Sequence, residues 1–497
     1  MTKRTAPRPL SIRPVIALGS LLLVGSPQLQ AQDYHLPDMG NSSDAILTTG
    51  AEARLGQAFM RHVRESLPVL DDPLLTDYIE SLGNTLVAAD PSATGRFNFF
   101  IIDQSVVNAF AGPGGNIGVY AGLILAAETE SELAAVLAHE IAHLTQRHLL
   151  RTLEDQNKTL IPTMALMVAA AILGAQVSSD AGAAAIVGIQ AASLQRQINF
   201  TRENEYEADR LGIMTLAKAG FDPYAMAGFF ERLSKSSRAY ENNAPEFLRT
   251  HPVNADRIAE ALGRADVFGA RQRPDSLRFH LVRAALRERS YKRPEQAVAY
   301  FRDTLREGRY RNVTAEHYGH ALALMRTGQF DAARAALAEA MKSNAGLAEF
   351  IILDARLDLE QGQVERAVRT LKQAVALSPG SWPLRMAYAE ALMKANRPAS
   401  AIDELTTVAR LRPGNPMLYD WLEQAALRAG HQAATHRFRA EKLYAEGERE
   451  PAIRQLEIAL RQRDLPYHEA ARIQARLESW KEEERESKRQ NKRGVKP

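Results

Sequence analysis

The residues best able to do chemistry are in the segment His139-Glu140-Ile-Ala-His143. Two histidines four apart lie one above the other on a helix face, so both imidazoles can reach one divalent ion while Glu140 stands beside the open coordination position. Two solvated histidines on a surface helix would not sit between Ala134-Ala-Val-Leu-Ala138 and Leu144, with apolar Ile141 and Ala142 between them. A catalytic zinc ordinarily takes three protein ligands and keeps a fourth place for water, so a third ligand is expected downstream. Asn204-Glu205-Tyr-Glu-Ala-Asp209 offers one. Glu205 can bind the ion, and Asp209, again four residues on, can receive the N–H of a ligand histidine and fix its tautomer. The competing reading is a solvated charged face of Glu203, Glu205 and Glu207 with Arg202 and Arg210. The upstream motif favours Glu205, ahead of Glu207, as the ligand. His251, in Thr250-His251-Pro252, has three open roles: oxyanion donor, fourth ligand in a resting state, or turn residue without catalytic duty. His148, five after His143, falls elsewhere on the helix and reads as ordinary.

The elements that must position these groups are mainly helical. Ala51 to Ala89 has helical spacing of Leu, Phe, Val and Ile, broken into two helices at Asp71-Asp72-Pro73. Two strand-like runs follow, Phe97 to Asp103 and Gly115 to Tyr120, the second introduced by the turn signal Gly112-Pro-Gly-Gly115. The second run could pair with an extended substrate. Ser131 is placed to cap the motif helix, expected from Glu132 to about Leu149. From Leu160 to Val177 no residue is charged, and Ala181 to Ala192 is a second small, apolar run. Pro162, Thr163, Gly174 and Gln176 interrupt the first, so residues 160–192 read as a hairpin that packs on the protein body or touches a membrane surface, ahead of a true span.

Beyond Gln272-Arg-Pro-Asp275, which reads as a linker, the sequence repeats. Gly328, Gly362, Asn396 and Gly430 follow one another at intervals of 34 residues, the tetratricopeptide period. Ala321, Ala355 and Ala389 share one register position, Ala333, Ala367 and Ala401 another, and Pro379 and Pro413 a third. Small residues there let paired helices approach closely, and proline ends each second helix. Arg293 to Ala297 and Glu446 to Ala459 resemble degenerate flanking repeats. Trp480 to Pro497 is mostly charged.

At 497 residues the chain needs more than one core, and 45% hydrophobic with 24% charged residues is the composition of a folded globular protein. Residues 1–31 read as a cleaved secretory leader: Lys3, Arg4, Arg8 and Arg13, an apolar run from Val15 to Gly25, and small Ala31 before the cut. Removing it takes the formal charge from +3 down by four to −1, which leaves no electrostatic case for nucleic acid. The chain has no cysteine, excluding disulfides, thiolate metal sites, a cysteine nucleophile and a lipidated N-terminal cysteine. An exported, disulfide-free chain suits a periplasm.

His139-Glu-x-x-His143 followed by Asn204-Glu205-x-x-Ala-Asp209, with Asn108-Ala-Phe-Ala-Gly-Pro-Gly-Gly115 before and Thr250-His251-Pro252 after, resembles the zinc peptidase family of the HtpX-type and CAAX-prenyl-protease-type enzymes. The resemblance implies an HExxH zinc metallopeptidase domain, α with a small β-sheet, at 32–270. A tetratricopeptide α-solenoid at 271–465 and a charged C-terminal helix or tail at 466–497 would follow it. It carries over His139, His143 and Glu205 as ligands of one Zn2+, Glu140 as general base and Asp209 as supporting acid. With the repeats and leader it further implies a periplasmic endopeptidase and chaperone. Its substrates would be misfolded or unassembled outer-membrane β-barrel proteins, and its repeats would engage the barrel-assembly machinery. The alternative is an exported repeat scaffold with a vestigial metal site. Intact Glu140 argues against that, since a structural zinc is closed by four ligands and has no use for a carboxylate there.

Overall fold

The computed structural model describes residues 49–152, 201–239, 245–342, 344–463 and 465–494. The leader at 1–31 and the apolar runs of 160–192 lie outside these. No helix among the described residues is long and apolar enough to cross a membrane.

Helices α1 (Thr49–Ser66) and α2 (Pro73–Ala89) separate where expected. Asp72 caps α2 by accepting from the amides of Leu74 and Leu75, and Pro73 begins it, where no N–H is needed. Strands β1 (Asn98–Ile102), β2 (Ala109–Gly112) and β3 (Asn116–Tyr120) form one sheet in the order β1-β3-β2, with β3 parallel to β1 and antiparallel to β2. Strand β2 escapes the sequence reading because Ala-Phe-Ala-Gly carries one strong strand former. Its presence puts β3 in the centre with both edges taken. The expectation that β3 would pair with substrate is therefore corrected: the free edge belongs to β2.

A short helix, α3 (Ala121–Ala126), leads into α4 (Glu130–Thr145), buried continuously from Glu130 to Ala142. It is capped by Thr129, whose hydroxyl accepts from Glu132 N, and not by Ser131. A cap needs extended backbone, which Thr129 has, whereas Ser131 is already helical; its hydroxyl accepts from Asp222 N instead. The helix also stops at Thr145, short of Leu149, because Arg147 takes the left-handed φ of 52°. Helix α5 covers 201–218, followed by α6 (Ala225–Ala239), α7 (Glu246–Thr250) and α8 (Ala255–Phe268). Strands and helices share one core, in which Phe99, Ile117, Leu137, Ile141, Ile213, Phe229 and Phe247 are fully buried.

Paired helices then run from Leu277 to Gly494. Gly328, Gly362, Asn396 and Gly430 each hold a positive φ, 57–78°, that closes the turn between two helices. The six register alanines are buried to 1% or less, so a larger side chain at any of them would overpack the helix pair by about 1–3 kcal/mol.

The stretch read as a linker is pinned. Glu130 N donates to Asp275 Oδ1 (2.7 Å), and Ser276, the cap of α9 (Leu277–Ser290), donates its hydroxyl to Glu130 Oε1 (2.6 Å). Helix α9 sends Phe279, Val282 and Leu286 into the first core and Leu281 and Ala284 into that of the repeats. Further along, Trp382 Nε1 and Arg278 both donate to Asp77 of α2, each at 2.8 Å, and Arg412 pairs with Glu80. The repeats are thereby seated against the helix that supports α4.

Candidate metal centre

Two helices and one helix end bring the predicted residues together. Helix α4 supplies His139, Glu140 and His143, α5 supplies Glu205 and Asp209, and His251 terminates α7. Gly212 lets α5 lie against α4: a Cβ there would stand 3.2 Å from His139 N and 3.3 Å from Ala138 C, tighter than ordinary contact. His251 is held by its N–H to Phe247 O (2.7 Å) and by stacking on the Phe247 ring.

His139, His143, Glu205 and His251 each offer one donor atom, all within 4.8 Å of one another. His139 Nε2 lies 3.0 Å from His143 Nε2, 3.3 Å from His251 Nδ1 and 3.5 Å from Glu205 Oε2. Glu205 Oε1 lies 3.4 Å from His143 Nε2 and 3.0 Å from His251 Nδ1. Bonds of about 2.0–2.1 Å to a four-coordinate ion put neighbouring donors about 3.3–3.4 Å apart, so the cluster has the size of a tetrahedral metal site. Facing ring nitrogens at 3.0 Å repel unless a proton or a cation lies between them, and three imidazoles with one carboxylate suit a divalent ion. Glu205, not Glu207, occupies this cluster. His251 is in it too, with its other nitrogen, Nε2, 3.4 Å from Glu140 Oε1.

Glu140 is fully buried, and neither carboxylate oxygen has a well-directed hydrogen bond among the described residues, although His251 Nε2 and the Ala111 amide face it. Burial, above all, raises its pKa, with His251 and His139 opposing. Burial alone would lower His139, yet Asp209 and Glu205 outweigh it and hold its pKa up at about 10. Burial pushes His143 down to about 3. Burial would raise Glu205, but hydrogen bonding to His139, His143 and His251 holds its carboxyl well below the usual range. Asp209 Oδ1 is 3.0 Å from His139 Nδ1, an electrostatic contact off the best hydrogen-bond direction.

Two partners were not visible in the sequence. Arg257 of α8 is buried against Asp209 and Glu205; a lone arginine in a polar helix carries no signal of this. His148, read as ordinary, is also buried, with Nδ1 2.8 Å from His143 Nδ1.

Residues 73–265 match the model of Peptidase family M48, and residues 358–420 match a tetratricopeptide repeat. The chain is 35% identical over 443 residues to the beta-barrel assembly-enhancing protease of Escherichia coli (strain K12), spanning 89% of this chain and 90% of that one. Against the Yersinia pestis protein of that name it is 35% identical over 469 residues, 93% and 96% of the two chains. The chain belongs to peptidase family M48. It is also similar to the mitochondrial metalloendopeptidase OMA1 of Arabidopsis thaliana, 29% identical over 232 residues, 46% of this chain and 44% of that one. The resemblance drawn from the motifs is thus borne out, as are a mainly α fold with repeats and a metal-dependent endopeptidase activity.

In this M48 peptidase the cluster opens on a cavity of about 230 Å³, lined by Phe110, Ala111, Glu140, His143, Thr250 and His251 among others. The free edge of β2 runs along it. Tyr120 N donates to Asn108 O (3.0 Å), so by antiparallel alternation Ala109 and Ala111 turn their backbone groups away from β3.

Proposed function

We propose that this metalloendopeptidase is a zinc enzyme of the periplasm that degrades misassembled outer-membrane β-barrel proteins and also assists their assembly as a chaperone. The observation that carries the catalytic part is the convergence of His139, His143 and Glu205 beside the buried carboxylate of Glu140. The biological setting is supported by the names of the Escherichia coli and Yersinia pestis relatives, by the repeats, and by the leader-like residues 1–31. Misfolded barrel proteins are the substrates, and the repeats of 271–465 engage the barrel-assembly machinery.

His139, His143 and Glu205 would hold the zinc. When bound there, zinc supplies Lewis acidity toward water and a scissile carbonyl. Glu140, its pKa raised by burial, takes a proton from water and returns it to the leaving amine. Asp209 and Arg257 keep the His139 ring oriented. An extended substrate lies along β2, where the outward N–H and C=O of Ala111 pair with it without reading side chains. His251, whose Nδ1 stands among the donor atoms, would serve as a further ligand at rest and keep water out until substrate or partner draws the Thr250–Pro252 loop away.

Wild-type protein and Glu140→Gln, incubated with an unfolded barrel protein and assayed for zinc, test this reading. Cleavage should vanish in the variant while zinc content stays equal. Equal cleavage by the two would leave only an exported scaffold of repeats.

A further inference from the structure

Each histidine of the HExxH motif has a second ring nitrogen pointing away from the metal position. For His139 it meets Asp209, which Arg257 closes off. His143 has a longer chain of contacts: its Nδ1 lies 2.8 Å from His148 Nδ1, His148 Nε2 lies 3.2 Å from Glu207 Oε2, and that oxygen accepts from Arg151 Nη1 at 2.9 Å.

On an unbroken helix, residues five apart are rotated by about 140° and cannot meet. They meet here because the helix breaks at Arg147, whose φ of 52° swings His148 back over the preceding turn. Hydrogen placement then follows from chemistry. His143 faces Glu205 and His139 with Nε2, so as a neutral ligand it carries its hydrogen on Nδ1. Two Nδ1 atoms at 2.8 Å form a hydrogen bond only if one of them is bare, so His148 accepts there. Its own hydrogen is then on Nε2 and is donated to Glu207.

We propose that His148 and Glu207 are positioning residues for metal binding: they fix the tautomer and ring orientation of His143 through a histidine-to-carboxylate chain, as Asp209 and Arg257 do for His139. The inference rests on the metal reading above. Glu207, two residues from Glu205 on the same helix, thereby gains a role that is neither ligand nor solvated surface.

Co2+ uptake by metal-free full-length protein, followed by its visible absorption and by competition with a chelator, is the test. His148→Ala and Glu207→Ala should each weaken Co2+ binding about 10–100-fold, the usual effect of losing such a partner. They should also shift the absorption bands, with the melting temperature in chelator unchanged. His148→Asn, whose amide oxygen can take the place of Nδ1, should restore most of the affinity. If His148→Ala does not fold, Glu207→Ala and His148→Asn carry the test. Wild-type affinity in Glu207→Ala or His148→Ala overturns the positioning role, and so does an Asn variant as weak as the Ala variant. A wild-type protein that takes up no Co2+ overturns the metal reading and this role with it.

Discussion

Arg257 grips Asp209 with two parallel hydrogen bonds, Nε to Oδ2 at 2.7 Å and Nη2 to Oδ1 at 2.8 Å, and spends its remaining nitrogen, Nη1, on Glu205 Oε2 (2.8 Å) and Pro252 O (2.7 Å). One guanidinium therefore joins the carboxylate behind His139, the carboxylate at the metal position and the loop that carries His251. Only the planar, five-donor head of arginine can satisfy all of these at once.

Arg257→Ala should accordingly be among the most damaging substitutions in the peptidase core. It leaves two buried carboxylates without their cation, a change that costs about 3–5 kcal/mol when a buried pair is broken. Arg257→Lys keeps the charge but cannot form the paired contact, and should fall between the two. Urea unfolding of the metal-free proteins measures this; a loss under about 1 kcal/mol for Arg257→Ala would place the guanidinium in solvent contact.

Metal uptake should expel a proton. Without metal, His139 titrates at about 10, held up by Asp209 and Glu205 against burial, and His143 at about 3 because of burial. At neutral pH the first is protonated and the second is not, while the Glu205 carboxyl is already ionised. A ligating imidazole must be neutral, so binding releases about one proton and tightens about tenfold per pH unit between roughly pH 5 and 9. Lower pH favours the protonated, metal-free form. Calorimetry in buffers of different ionisation enthalpy counts the proton, and a count of zero would contradict the elevated His139.

The repeats and the motif helix were legible in the sequence for a simple reason. A 34-residue period and an i, i+4 histidine pair are local patterns, and local patterns survive without knowledge of the fold. Glu205 could be singled out only because the upstream motif demanded a ligand; its own surroundings, Glu203 and Glu207, look like a charged surface. What stayed hidden depends on tertiary contact or on one unusual backbone angle. Arg257 reaches its partners across 48 and 52 residues. His148 returns to His143 only through the left-handed Arg147, and non-glycine residues enter that region too seldom to be expected. Strand β2 owes its existence to β3, since Ala109 to Gly112 has almost no intrinsic preference for it.

The edge of β2 makes a distinct prediction. Ala111→Pro removes an N–H that points away from β3 and toward the Glu140 carboxylate, so no bond of the sheet is lost, but Glu140 loses that contact and an extended substrate its main-chain partner. Cleavage of an unfolded polypeptide should fall about tenfold or more, corresponding to one or two lost hydrogen bonds, with metal content unchanged. Ile117→Pro would not serve, because Ile117 sits in the central strand and proline there breaks the sheet itself. Unaltered cleavage by Ala111→Pro would move the substrate elsewhere in the cleft.

His251→Ala separates two roles by sign. With Nδ1 3.0 Å from Glu205 Oε1 and Nε2 3.4 Å from Glu140 Oε1, His251 stands where either an extra ligand or an oxyanion donor could stand. As an extra ligand it competes with water, so removing it frees the site for all of the time instead of a fraction. An enzyme closed for nine-tenths of the time would gain about tenfold in kcat/KM, and metal affinity would drop at the same time. As an oxyanion donor it acts only while the carbonyl is under attack, so its loss would lower kcat by about 10²–10³ and leave metal affinity alone. The expected result is the gain, because His251 Nδ1 is already within 3.3 Å of His139 Nε2, among the donor atoms and not across the cleft from them. A fall in kcat at constant metal content would reverse that assignment and keep His251 as a catalytic group.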